Sequence, residues 1–250
     1  MNNETKISKM RIGGGILVDI MREILSEVRP GVTTQYLDEC AEQLCQKYAV
    51  IPAFKGYHAY PSVLCVGPND IVVHGIPDTT ILAEGDIVSV DMGIVYDDVY
   101  LDMARTVGVG DLEKETRDFV DTTRESLIAG CDAAVTGNTL GDIGHAISST
   151  VEEKGYSVVR EMVGHGIGYA LHEDPSVPGY GEPGDGDVLK EGQTIAIEAI
   201  INQGTPDIIV SESDGWTSRT KDGKLSALFE NTVVISDKSE ILTPLSLQEC

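Results

Sequence analysis

Apolar side chains recur with a helical period at Ile16, Leu17, Ile20, Met21, Ile24, Leu25 and Val28. Such a stripe buries one face of an amphipathic helix. Its start is blurred by Gly13-Gly14-Gly15, and Arg29-Pro30-Gly31 ends it. Thr33 and Thr34 open a second periodic run, through Leu37, Ala41, Leu44 and Cys45 to about Tyr48. The period then changes. Pro52–Pro61 is an aromatic loop, and Ser62–Cys65 and Asp70–His74 read as short strands on either side of a turn at Gly67-Pro68-Asn69. Ile87–Val107 holds two strand-like runs around Tyr96-Asp97-Asp98, the pattern of a β-hairpin with a tight turn. Helical periods return over Glu113–Val135 and Thr139–Lys154, the second opened by a capping box, Thr139-Leu140-Gly141-Asp142. Tyr156–Val163 is a strand candidate entering Gly164-His165-Gly166-Ile167-Gly168. His172–Asp187 is an ordered loop or lid, Thr194–Ile201 a buried strand and Ile208–Ser211 a short strand. Asp214–Lys224 is a turn region, and Ala227–Ile235 is the last strand.

The order helix, helix, strands occurs twice, with Gly31-Val32-Thr33 and Gly137-Asn138-Thr139 at equivalent places. No linker divides the chain. One domain over residues 1–250 is expected, with pseudo-repeats near 13–108 and 113–236 and a site at their seam. The net charge of −23, from 18 basic and 41 acidic residues, disfavours broad nucleic-acid contact and favours metal cations. MNNETKISKM lacks the apolar core of a signal peptide, and no apolar run reaches the ~20 residues of a membrane span. Cys40, Cys45, Cys65, Cys131 and Cys250 show no CxxC spacing and read as reduced thiols of a cytoplasmic protein.

Against that frame several charges stand in apolar strands. Folding the hairpin brings Asp91 opposite, or nearly opposite, Asp102, and like charges so placed repel. A divalent metal pair or a shared proton would relieve them. Glu198 interrupts TIAIEAII and Glu230 interrupts ALFENTVVI; a lone buried carboxylate is costly unless paired, protonated or metal-bound. His165 lies between glycines that leave its ring free to reach a ligand. For any one acid a solvated strand end is the commoner fate. Taken together they form a hard, oxygen-rich donor set suited to Mn²⁺, Fe²⁺, Co²⁺ or Zn²⁺. No Asp-Thr-Gly or Asp-Ser-Gly marks an aspartic-protease dyad, and the glycine run at 164–168 lacks the Lys-Ser/Thr of a P-loop. His58 and His145 read as loop and helix-surface residues, and Cys65 as packing.

These residues and their flanking words resemble the type I methionine aminopeptidases of the pita-bread metalloprotease group. The words are Val73-His74-Gly75-Ile76-Pro77-Asp78, Gly85-Asp86-Ile87-Val88, Asp91 with Asp102, Gly164-His165-Gly166-Ile167-Gly168, His172-Glu173-Asp174-Pro175, Ile197-Glu198, Asp214-Gly215-Trp216-Thr217 and Phe229-Glu230-Asn231-Thr232. They fall in family order from about residue 50 to 236. No N-terminal zinc-finger extension and no long type II insertion is read.

The resemblance implies an α+β pita-bread fold: two pseudo-symmetric halves, a curved antiparallel sheet and helices on its outer face. It implies two divalent ions (Co, Mn, Fe, Zn or Ni), with Asp91 chelating one, Asp102 and Glu230 bridging, and His165 and Glu198 completing the other. A water between the ions would attack, Glu198 would act as general base, His172 would bond the scissile carbonyl and His74 the scissile amide. The implied reaction removes N-terminal methionine from peptides and nascent chains, with a small second residue preferred. Tyr57, Tyr60, Cys65 and Trp216 would wall the methionine pocket, with Phe54 and Leu171. Phe54 stands where a smaller Cys often occurs and Leu171 where an aromatic is common. Ala199 and Gly179 replace a usual Pro and a usual Asn or His. A monomer is expected, with no membrane partner, no specific nucleic acid, and transient ribosome contact through Arg219, Lys221 and Lys224.

Overall fold

The computed structural model describes residues 3–245, so Cys250 lies outside the described residues. Helix α1 (Asn3–Ser26) begins well before the predicted apolar stripe and runs straight through Gly13-Gly14-Gly15. The glycines mark close packing instead of a helix start. A Cβ on Gly13 would lie 2.6 Å from Leu101 Cδ2, and one on Gly14 would lie 2.9 Å from the Leu242 carbonyl carbon, whereas Gly15 faces open space. Helix α2 (Thr34–Tyr48) is capped by Thr33, whose hydroxyl accepts from the Tyr36 N–H, and ends on Ala49 in the left-handed region.

Strands β1 (Ile51–Pro52), β2 (Cys65–Pro68) and β3 (Ile71–Val73) follow, with a 3₁₀ turn at Tyr57–Ala59. The predicted strand Ser62–Cys65 is displaced: pairing starts at Cys65, and the Val63 and Leu64 N–H groups donate to Asp38 Oδ1. The hairpin β4 (Ile87–Tyr96) and β5 (Val99–Gly108) closes on Asp97 and Asp98, with φ of 47° and 69°. Two positive φ values make the two-residue turn whose twist suits a hairpin. Helices α3 (Lys114–Ala133) and α4 (Leu140–Glu152) come next, α4 opened by the expected capping box.

Of the predicted strand Tyr156–Val163 only Ser157–Val158 forms a strand, β6, opposite Asn202 and Ile201, and the Val159 N–H still donates to the Ile200 carbonyl. Strands β7 (Gly164–Gly166) and β8 (Glu173–Val177) pair with each other, so the expected loop at His172–Asp187 contains a strand. Strands β9 (Thr194–Asn202), β10 (Ile208–Val210), β11 (Ser218–Thr220), β12 (Ser226–Val234) and β13 (Glu240–Ile241) complete the chain. The turn region 214–224 therefore also carries a strand.

The main sheet has the order β1-β4-β5-β12-β9-β7-β8, with β2 on β4, β6 on β9 and β13 on β12, all antiparallel and without closure into a barrel. Helix α1 packs on β4 and β5, and α3 on β9 and β12. One core holds α1, α2 and the first strands; another holds α3, α4, β9 and β12.

The glycine contacts give substitutions of opposite sign. Gly15→Ala raises stability by about 0.5–1 kcal/mol through helix propensity. Gly14→Ala lowers it by about 1–3 kcal/mol, because the new methyl meets backbone that cannot rotate away. Urea unfolding midpoints of the two variants move in opposite directions; equal shifts contradict the packing described.

Candidate metal centre

Strand register assembles the centre. Asp91 pairs with Ala104, Ala104 with Glu230, and Glu230 with Glu198, so one rung crosses β4, β5, β12 and β9. Residues two apart share a face of a strand. Asp102 therefore stands beside Ala104 on the same face, diagonal to Asp91, with Gly93 as its direct partner. Ala196, two before Glu198, pairs with His165 of β7. At Ala104 and Ala196 a methyl group occupies each place where a longer side chain would fill the space between the acids.

One donor atom each of Asp102, His165 and Glu230 lies within 4.8 Å of the others. His165 Nε2 lies 3.8 Å from Glu198 Oε1, and its Nδ1 lies 2.9 Å from the Gly166 carbonyl. Donation from Nδ1–H to that carbonyl leaves Nε2 with a lone pair facing the acids. Asp91 flanks the group on the Asp102 side. Its Oδ1, with Asp102 Oδ1 and Glu230 Oε1, is buried without a hydrogen-bond partner. Unpartnered buried oxygens are rare and signal a missing ligand. Oxygen-rich donors with unused lone pairs fit divalent cations, and these five residues could hold them.

The electrostatics agree. Burial, and then neighbouring carboxylates, hold Asp91, Asp102 and Glu230 well above the ordinary carboxylate range. Burial pushes Glu198 up to about 7. Burial, and then repulsion from His172, lowers His165 to about 4. His74 and His172 are lowered too, chiefly by burial, so all three rings favour the neutral form.

The centre opens into a cavity of about 370 Å³, lined by each predicted site residue: Phe54, Tyr57, Tyr60, Cys65, His74, Asp91, Asp102, His165, Leu171, His172, Glu198, Trp216 and Glu230. His172 Nδ1 lies 2.8 Å from the Tyr57 hydroxyl, and its ring lies 4.3 Å from that of His165. His74, at φ 57°, leaves β3 in the left-handed region and meets Trp216 edge-on at 6.0 Å. Trp216 meets Tyr60 at 5.1 Å, and the Tyr60 hydroxyl lies 3.0 Å from the Leu64 and Gly75 carbonyls. Burial raises the Cys65 thiol far above its usual range, consistent with packing.

Sequence reasoning missed several neighbours. His58 lines the cavity and is no mere loop residue; Val73, Glu161, Met162 and Val163 line it as well. Arg105 is buried behind the rung, where its guanidinium donates to the carbonyls of Ala104 and Glu230, to Asn231 Oδ1 and to Thr243. An arginine within the apolar run MARTV was its signal. Thr232 accepts from the Asp102 N–H and donates to the Asp102 carbonyl, tying β5 to β12 beside the site.

Residues 8–237 match the profile of metallopeptidase family M24. This chain belongs to the M24 metallopeptidase family. It is 44% identical over 245 residues to a methionine aminopeptidase of Clostridium acetobutylicum, covering 97% of this chain and 98% of that one. The crystal structure of methionine aminopeptidase from Thermotoga maritima superposes with a TM-score of 0.93 at 42% identity, covering 96% of each chain. The prolidase of Pyrococcus horikoshii, at 22% identity and TM-score 0.79, covers 99% of this chain and 64% of its own, and shares the pita-bread fold.

Within this M24 site the departures noted in sequence have local explanations. The Phe54 ring uses the space left by Gly93, where a Cβ would lie 2.8 Å from Phe54 Cε1. Ala199 keeps its place in the β9–β12 ladder opposite Phe229. Gly179 crosses β9 at Glu198: a Cβ there would lie 3.3 Å from the Glu198 carbonyl oxygen and 3.3 Å from Val158 Cγ1.

The shifted carboxylates carry a stability signature. They hold protons in the folded state that the unfolded chain has released, so metal-free stability falls as pH rises through about 7, the value for Glu198. His165, depressed to about 4, acts oppositely, as do His74 and His172, until the unfolded imidazoles have released their protons about a unit above their ordinary 6.5. Between roughly pH 6.5 and 8 the carboxylates outweigh them, because an unfolded imidazole is already half deprotonated at the lower end of that window. Chelator-treated protein should melt lower at pH 8 than at pH 6.5, and Glu198→Gln should narrow the gap. Equal melting midpoints contradict the assignment.

Proposed function

We propose that this chain is a metal-dependent methionyl aminopeptidase that removes N-terminal methionine from peptides and nascent chains, with a small second residue preferred. The observation that carries the reading is the convergence of Asp91, Asp102, His165, Glu198 and Glu230, with three unpartnered carboxylate oxygens, on a cavity whose other wall is aromatic and aliphatic. The near full-length likeness to methionine aminopeptidases supports it. We infer that Asp91, Asp102, His165, Glu198 and Glu230 would together hold two divalent ions.

When bound, divalent cations supply Lewis acidity and lower the pKa of water. The remaining work belongs to the chain. Glu198 takes the proton of the attacking water and passes it towards the leaving amine. With the Tyr57 hydroxyl donating to His172 Nδ1, 2.8 Å away, His172 Nε2–H would be the donor for the carbonyl oxygen as its charge grows. His74, neutral and anchored against Trp216, meets the scissile amide. Phe54, Tyr60, Cys65, Leu171 and Trp216 enclose the thioether side chain.

A cytoplasmic location completes the reading, and the free state of Cys40, Cys45, Cys65 and Cys131 supports it. Among the described residues, no helix is long and apolar enough to cross a membrane. Ribosome contact through Arg219, Lys221 and Lys224 gains no support, because Arg219 pairs with Asp70 at 2.8 Å and Lys221 approaches Asp207 at 3.8 Å.

Methionyl-alanyl peptides should release methionine and X-Pro peptides should stay intact. Chelation should stop the reaction, Mn²⁺ or Co²⁺ should restore it, and Asp91→Asn should abolish it. X-Pro cleavage without methionine release would overturn the substrate; full activity in Asp91→Asn would overturn the ligand set.

A further inference from the structure

Leu171 and His172 reach the cavity from the loop between β7 and β8, not from a strand. Something must hold that loop, and its ties lead away from the metal centre. Glu173 Oε1 accepts from the N–H groups of Tyr169 at 2.6 Å and Ala170 at 2.8 Å, curling the loop back on its own end. The Gly168 carbonyl accepts from the Tyr100 N–H at 2.8 Å.

A third tie comes from the first helix. Lys6, half-buried on α1, donates from Nζ to Thr194 Oγ1 at 2.9 Å, and that hydroxyl donates to the Ile167 carbonyl at 2.5 Å. The ammonium also stands 6.0 Å over the Tyr169 ring. Gly168 marks where the groups converge: a Cβ there would lie 3.3 Å from Lys6 Nζ and 3.4 Å from each Glu173 carboxylate oxygen. One cation thus faces a hydroxyl, a carboxylate and an aromatic ring around a single glycine. The carboxylate belongs to the residue that follows His172.

We propose that Lys6 is a positioning residue: through Glu173 and Thr194 it fixes the 168–172 loop and so sets Leu171 and His172 in the cavity. It touches neither substrate nor metal ligand. The inference rests on the methionine-releasing reading of the site. Its physical basis is that aligned reacting groups tolerate little displacement, with ~1 Å costing up to about a hundredfold in rate. Lys6→Gln keeps a polar donor on a shorter stem but removes the charge that stands near Glu173.

The test compares metal-loaded wild type, Lys6→Gln, Lys6→Arg, Glu173→Gln and the Lys6→Gln/Glu173→Gln double variant on one methionyl-alanyl peptide. Metal content and melting midpoint are measured alongside kcat and KM. Lys6→Gln should lower kcat roughly tenfold with KM changed less than about threefold. Metal content should match wild type, Lys6→Arg should recover most of the rate, and the double variant should be no slower than the slower single variant. Unchanged kcat in Lys6→Gln, a loss that follows metal content or melting midpoint, no recovery in Lys6→Arg, or additive losses would each overturn the proposal. A wild-type protein that releases no methionine would instead overturn the function on which it rests.

Discussion

Four carboxylates share one buried face of the sheet, and repulsion among them is the constraint on which the rest depends. Two like charges 4 Å apart cost about 4 kcal/mol at the effective dielectric near a protein surface. Among the described residues, no lysine or arginine lines the cavity that they face. The chain alone answers burial, and then repulsion, by holding protons: Asp91, Asp102 and Glu230 stand far above their ordinary range, and burial by itself lifts Glu198 to about 7. Divalent cations would answer it without protons, and they would also use the three oxygens left without partners.

The scaffold makes that arrangement hard to escape. Asp91, Glu230 and Glu198 lie on one rung, and a slip of one residue in any strand would turn its acid to the helix side. Helices α1 and α3 pack on that side, so the displaced acid would meet apolar side chains. The turn at Asp97-Asp98 fixes the hairpin register, Thr232 ties β5 to β12, and Arg105 grips the carbonyls of Ala104 and Glu230 from behind. The histidines His74 and His172 that line the cavity are held less directly. His74 follows a short strand, and His172 lies in a loop braced by Glu173, Tyr57 and the first helix.

Much of this was legible in the chain because burial and charge conflict openly in it. Acids inside TIAIEAII and ALFENTVVI, and an aspartate pair across a predicted hairpin, pointed to one centre before any coordinates. What stayed hidden follows from how the signals arise. Gly13-Gly14-Gly15 read as a helix boundary because propensity is local, while its cause is contact with Leu101 and Leu242 far along the chain. Strand β8 was hidden by Asp174-Pro175 and its polar neighbours, since a strand of five residues that owes its pairing to Gly164–Gly166 carries little periodicity of its own. His58 and Glu161 sit in segments without a regular period, so only the fold brings them to the cavity.

The central claim is that buried repulsion keeps the carboxylates protonated until cations displace those protons. Calorimetric titration of metal-free protein with Mn²⁺ at pH 7, in two buffers of different ionisation enthalpy, tests it most directly, because metal binding to protonated ligands releases protons. The account predicts a binding heat that differs between the buffers in proportion to their ionisation enthalpies, and a smaller difference in Glu198→Gln. A heat independent of buffer would contradict it.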